Sequence, residues 1–281
     1  MDRREALQTI AAEARRGELG FPTSVEVALG VQRALDDPDC HVEAAARLIQ
    51  TEPLLSARVV ALANSVAFNR SGRPITDVRI AAARLGFRMI RALAAAVVTR
   101  QMAGISADPV HRLLAERLWA HTAHVTALAH VLSRRVTRQD PETAMFAGIV
   151  HEVGGFYLLS RAKDFPCLFD GRAAERIEDS EEQAGGGEIG RAVLTVLSVP
   201  QAVVAAIEGL WAGTLALPPA SLGDTLLLAD RLSPVRSPLH RPPGGDAASQ
   251  DLALVVGQET LAGILEDSAE EVDSMIVALS Y

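Results

Sequence analysis

Aromatic residues are scarce in this sequence, 4% of 281 residues, too few to fill the interior of so long a chain. The core must therefore be built from Ala, Leu, Val and Ile on closely packed helices. Cysteine is rarer still, only Cys40 and Cys167. Neither belongs to a CxxC pair, which argues against a disulfide framework or a structural zinc site. Long hydrophobic runs are missing too. The stretch from Ala92 to Val98 falls far short of the roughly 20 residues that span a bilayer, and Arg88, Arg91 and Arg100 interrupt its surroundings. The N-terminus, MDRREALQTI, is charged and lacks the apolar stretch and cleavage site of a secretory signal. These absences predict a cytoplasmic chain with no membrane contact. Lysine is nearly absent as well: Lys163 is the sole lysine among 27 basic residues, against 35 acidic ones, for a net charge of −8. That balance excludes a general nucleic-acid binder, since neutralising phosphates needs a cationic surface. It leaves room for local basic patches. The bias toward Arg, Ala, Val and Gly reads as genome composition, not as an arginine-based binding function.

What is present is helical pattern. Segments such as AAEARR and AAARLGFRMIRALAAAVVTR combine high helix propensity with aliphatic repeats three and four residues apart, and sustained alternation is rare. The fold class predicted is all-α. A first helix over 2–16 stops at Gly17 and Gly20. A second, capped by Ser24, presents Val27, Val31, Ala34 and Leu35 before the breaker Asp36-Asp37-Pro38-Asp39. A third covers His41 to Gln50. Thr51 is read as a cap and Pro53 as a first-turn residue of the next helix, LLSARVVALANS. After the loop Phe68 to Pro74, a short helix begins at Thr76-Asp77. Gly86 ends it before Phe87 to Met102 forms another. Residues 110–136 form a long helix with Leu114, Leu118, Val125, Leu128, Ala129 and Leu132 at helical spacing. Its His121 and His124 are neighbours, while His130 lies on the opposite side. Asp140-Pro141-Glu142 opens a helix running into His151-Glu152-Val153-Gly154-Gly155. Further helices are expected at about 156–163, 188–197, 200–210, 219–231 and within 250–280, with a Pro/Gly-rich loop over 233–249.

Several of these segments resemble, in order, those of the HDOD family: AARLIQTEPLLSARVVALANSVAF, ITDVRIAAARLGFRMIRAL, RLWAHTAHVTALAHVL, AMFAGIVHEVGGFYL, LSVPQAVVAAI and LLLADRLSP. Glu52-Pro53 stands where the family has Asp-Pro. The resemblance runs from about residue 20 to 275. It implies a multi-helical fold related to HD-domain phosphohydrolases, with an N-terminal helical subdomain over 1–109 and an HD-like subdomain over 110–235. A loop over 236–249 and C-terminal helices over 250–281, packed back on the body, would complete the chain.

HD hydrolases are named for a His-Asp pair that binds a divalent metal with a further His and a distal Asp. By that resemblance His121 matches the first ligand, His151 and Glu152 occupy the pair, and Asp230 matches the distal carboxylate. Imidazole and carboxylate suit Fe, Mn or Zn, and such a metal would polarise phosphate and acidify water. Glu152 in place of Asp keeps the charge and moves it outward by one methylene. The auxiliary histidines of active relatives have no counterpart: Gly185-Gly186-Gly187 and Gly209-Leu210-Trp211 stand in their places. A buried polar cluster of His121, His151 and Asp230, satisfying one another by hydrogen bonds, is the plainer expectation. AGGGEIG reads as a flexible helix lead-in and not a phosphate cradle. Asn64-Ser65 reads as a C-terminal cap and turn.

The function expected is a non-catalytic bacterial signalling scaffold that recognises another signalling protein through a helical surface, with the four ligand positions a vestigial site and no cofactor. The alternatives are a mononuclear metal-dependent phosphohydrolase acting on a nucleotide or cyclic dinucleotide through His121, His151, Glu152 and Asp230, and a small-molecule sensor that keeps the cleft without the chemistry.

Overall fold

The computed structural model describes residues 1–21, 29–30, 33–35, 37, 39–103, 108–169, 180–239, 255–256 and 259–280. The expected cap Ser24, Val27 and Val31 of the second helix, Asp36 and Pro38 of the breaker after it, and residues 240–254 of the C-terminal loop and beyond lie outside the described residues.

Helix α1 (Arg3–Arg15) opens with a reciprocal cap between Asp2 and Glu5. It is followed by α2 (Val42–Gln50), α3 (Pro53–Ala63) and α4 (Val78–Ala103). The central α5 (Pro109–Leu132) widens into a π turn at Ser133–Thr137 and leads to α6 (Pro141–Val150) and α7 (Val153–Arg161). Then come α8 (Ser180–Val196), α9 (Gln201–Ala212) and α10 (Leu222–Leu232). A two-residue ladder, β1 (Val255–Val256) against β2 (Glu259–Thr260), precedes α11 (Leu261–Asp267) and α12 (Ala269–Ser280).

One device recurs at helix starts. Pro53, Pro109 and Pro141 each occupy the first turn, and the preceding acid, Glu52, Asp108 or Asp140, accepts a backbone N–H. Proline loses nothing where the N–H has no intrahelical partner, and the carboxylate answers the positive end of the helix. The cap of α3 is thus Glu52 and not Thr51, whose hydroxyl donates backward to Leu48 O. As expected, Gly86 breaks the 78–103 segment, with φ 77° and ψ 163°, a region essentially closed to other residues.

Two sequence expectations fail at the level of elements. Gly185-Gly186-Gly187 is not a lead-in: α8 starts at Ser180 and runs through the glycines. Propensity disfavours this; further along α8 the Trp211 ring of α9 packs so close to Gly190 that a Cβ there would meet it at 3.2 Å. The β1–β2 ladder was likewise not anticipated, being too short to show alternation.

The core joins these layers through α5, which packs against α6, α10, α12 and α4. Leu118, Val125, Ala129 and Leu132 of α5, with Met145, Ile149 and Val150 of α6, are buried. Helices α5 and α6 cross closely at Gly148, where a Cβ would stand 2.7 Å from the Thr126 Cα. That approach brings the end of α6 against the middle of α5, the place where His121 faces inward. Among the described residues no helix is long and apolar enough to cross a membrane.

Candidate metal centre

Three elements deliver one titratable side chain each to a buried point. His121 comes from the middle of α5 and Asp230 from the last turn of α10. His151 caps the C-terminal end of α6. Their side chains are 1%, 12% and 5% exposed, respectively. His121 Nε2 lies 3.2 Å from Asp230 Oδ1 and 3.3 Å from His151 Nε2. Glu152, 4% exposed, stands further off, its Oε1 3.9 Å from His121 Nε2. Of the four expected ligands the structure brings three into one cluster, all ligand atoms within 4.8 Å of one another, and leaves Glu152 at its margin.

Each ring is oriented by a backbone carbonyl. Val235 O lies 2.8 Å from His121 Nδ1, and Gly148 O 2.6 Å from His151 Nδ1. Both carbonyls can only accept, so both Nδ1 atoms carry hydrogen and both Nε2 atoms point at the cluster. Sequence reasoning missed Val235 and Gly148, because any residue supplies a carbonyl and side-chain identity carries no trace of it.

The protonation states follow from burial and neighbours. Burial opposes charge on His121, but the bond to Asp230 and the charges of Glu152 and Asp230 outweigh it, and its pKa is raised. Burial holds the His151 pKa down, against the pull of Glu152. Burial would raise the Asp230 pKa, but the bond to His121 and its charge bring it below the usual value. The shifts favour the proton on His121, which stands between the Asp230 carboxylate and the His151 imidazole. One Nε2–H faces two acceptors, Asp230 Oδ1 and His151 Nε2, both at long distance.

A divalent ion in the proton's place suits this donor set. Two imidazole nitrogens and a carboxylate are ligands for Fe, Mn or Zn. Ligand atoms bound to one ion at about 2.1 Å stand roughly 3.0–3.4 Å apart, and the separations from His121 Nε2 are 3.3 and 3.2 Å. His121, His151 and Asp230 would hold the ion, and it would polarise phosphate and acidify water.

Access to that point is narrow. The segment after α10 crosses it: Val235 bonds His121, and the Leu239 side chain lies so close to Gly155 that a Cβ there would meet it at 2.7 Å. Of the places where auxiliary histidines are absent, Gly187 is in van der Waals contact with the indole of Trp211, which also packs on Gly190. The other α5 histidines serve elsewhere: His111 meets the Phe169 ring edge-on, His124 bonds Ala120 O, and His130 faces Glu271 of α12 at 3.6 Å.

A model of the HDOD domain matches residues 21–211, more than half of the chain. The chain belongs to the HDOD domain family. Among solved structures this HDOD protein is similar to one from Shewanella amazonensis SB2B whose name proposes a metal-dependent phosphohydrolase. The TM-score is 0.73 at 22% identity, over 99% of each chain. It is also similar to an HDOD domain protein of unknown function from Geobacter sulfurreducens, with TM-score 0.65 at 23% identity over 98% of each. A third, from Marinobacter aquaeolei VT8, bears a name proposing signal transduction. Its TM-score is 0.60 at 18% identity, over 100% of this chain and 67% of that one. Likeness at these identities establishes the shared HD-like helical fold. No curated protein matches the chain.

Proposed function

We propose that this HDOD protein is a non-catalytic signalling module that acts by binding another protein, with His121, His151 and Asp230 serving as a buried joint between α5, α6 and α10. The observation that carries this reading is the deep burial of the cluster. His121, His151 and Asp230 are 1%, 5% and 12% exposed, and a phosphoryl group must touch a metal to be polarised by it. The 233–239 segment, whose Val235 O lies against His121 and whose Leu239 side chain packs at Gly155, supports the same reading. Family membership is consistent with it and does not decide it, since chemistry lives in sites and not in folds.

The second reading, a mononuclear phosphohydrolase, draws on the ligand-like spacing of the three donor atoms and on the name of the Shewanella relative. One experiment separates the two. Protein purified without added metal is analysed for Fe, Mn and Zn, then assayed with each metal on bis(p-nitrophenyl) phosphate and on cyclic dinucleotides. The expected result is no metal-dependent hydrolysis, whether or not an ion is retained. Turnover that needs metal and disappears in His151→Ala sinks the non-catalytic reading.

A further inference from the structure

The residues from Arg70 to Arg91 contain six arginines and one acid, Asp77, in a chain of net charge −8. Some of these arginines are spent on structure. Arg79 pairs with Asp77, and Arg88 with Asp140 and Glu142. For Arg70, Arg73 and Arg84, all exposed, no carboxylate lies within ion-pair distance among the described residues. Arg73 and Arg84 border a groove of about 550 Å³ whose apolar wall is Pro74, Ile75 and Ile80; Asp77 also lines it, its carboxylate already paired with Arg79. Ile80 is 56% exposed, an aliphatic residue with nothing packed on its outer face.

The groove is held rigid by the Asn64 that follows α3. Its Oδ1 accepts the Ile75 N–H at 2.7 Å, and its Nδ2 donates to Ile75 O at 2.7 Å and Val60 O at 2.9 Å. Asn69 continues the network. Its Nδ2 donates to Arg73 O, and its Oδ1 accepts from Arg84 Nη1 at 2.8 Å and from the Ser71 hydroxyl. Asn64 is therefore more than a helix cap: it clamps both backbone groups of Ile75 and fixes the loop that forms the groove wall. Fixed polar and apolar groups lower the ordering cost of binding.

We propose that this groove docks an acidic, aliphatic-bearing peptide segment of a partner protein, with carboxylates on Arg73 and Arg84 and an aliphatic side chain on Ile80 and Pro74. Two arginines flanking an apolar wall suit alternating acidic and aliphatic side chains: guanidinium takes carboxylate in paired hydrogen bonds, and Ile80 gains cover from water. This names the interaction surface of the non-catalytic reading and rests on it.

The test uses the full chain and three probes: a capped peptide of alternating glutamate and leucine, its lysine–leucine counterpart, and inorganic phosphate. Saturable binding of the glutamate–leucine peptide is expected, weakening as salt rises and weakening at least about tenfold in Arg73→Glu, a like-charge reversal at the rim. Ile80→Asp should weaken it as well, with helical circular dichroism unchanged in both variants. Equal binding of the lysine–leucine peptide, no saturable binding, or binding indifferent to both variants overturns the proposal. So does phosphate binding at Arg73 without peptide binding, which makes the site one for a small anion. Metal-dependent hydrolysis would sink the non-catalytic reading and leave peptide binding as measured, so the two failures are distinguishable.

Discussion

Asp230 is the carboxylate whose bond and charge help raise the pKa of the buried His121. Removing its charge while keeping its shape, Asp230→Asn, leaves His121 with burial and too little to offset it. Its pKa should therefore fall from its raised value, read by NMR titration of the imidazole resonances. Breaking one side of a buried pair costs about 3–5 kcal/mol, so the urea midpoint should fall too. An unmoved His121 titration would show that the pairing is not what holds its proton. The linkage has a definite sign: His121, with its pKa raised, contributes stability that is complete below its unfolded value of roughly 6.5 and lost as pH rises through the folded value. Asp230→Asn should flatten that alkaline loss. These side chains were legible in the sequence because the ordered family segments place them. The carbonyls of Val235 and Gly148 that aim them were not, since their positions depend on the path of the backbone alone.

At the scale of elements, the site depends on where α10 and α6 start and end. Asp224 fixes the start of α10: it accepts N–H groups of Ala216, Ala220 and Ser221 and the Ser221 hydroxyl, at 2.7–3.1 Å. Burial would raise its pKa, but these bonds lower it. Its contribution is therefore full above the unfolded carboxyl value, roughly pH 3.9, and lost as pH falls through the lower folded value. Asp224→Asn should cost about 1.5–3 kcal/mol at neutral pH and remove that part of the acid sensitivity, measured by urea unfolding at a series of pH values. Loss of stability that stays the same at every pH would show that the carboxylate charge is not involved. The crossing of α5 and α6 is the second constraint. Gly148→Ala puts a Cβ against the Thr126 backbone, so about 1–3 kcal/mol of overpacking is expected, with the ring resonances of His121 and His151 perturbed. Unchanged stability and resonances would mean that the helices part without disturbing the cluster. Helix existence was legible from periodicity and caps. The glycine run inside α8 was not, because Gly propensity argues for a break and the packing of α8 against α1, α7 and Trp211 is made by residues distant in sequence.

At the scale of the molecule, α12 is the element that ties the far end of the chain to its middle. Trp119 of α5 donates its Nε1–H to Leu279 O at 3.2 Å, Arg134 pairs with Glu271 at 2.6 Å, and Val66, just after α3, donates its N–H to the Ser274 hydroxyl. Helix α12 thus contacts both sides of the division expected near residue 109. A periodic C-terminal segment predicted a helix, but nothing in it told which helices it would cover, because its partners lie some 130 to 210 residues away. If α12 belongs to the one cooperative unit, emission from Trp119, isolated in a Trp211→Phe background, must change together with far-ultraviolet circular dichroism as urea is raised. Met275→Ala, which empties a fully buried position on α12, should shift both transitions equally, by about 2–5 kcal/mol. A Trp119 transition at lower urea than the helical one, widened by Met275→Ala, would make α12 a separately detachable element. The cooperative outcome is expected because Met275, Ala278 and Leu279 are buried against the same α5 that carries His121, so α12 cannot leave without exposing the core around the cluster.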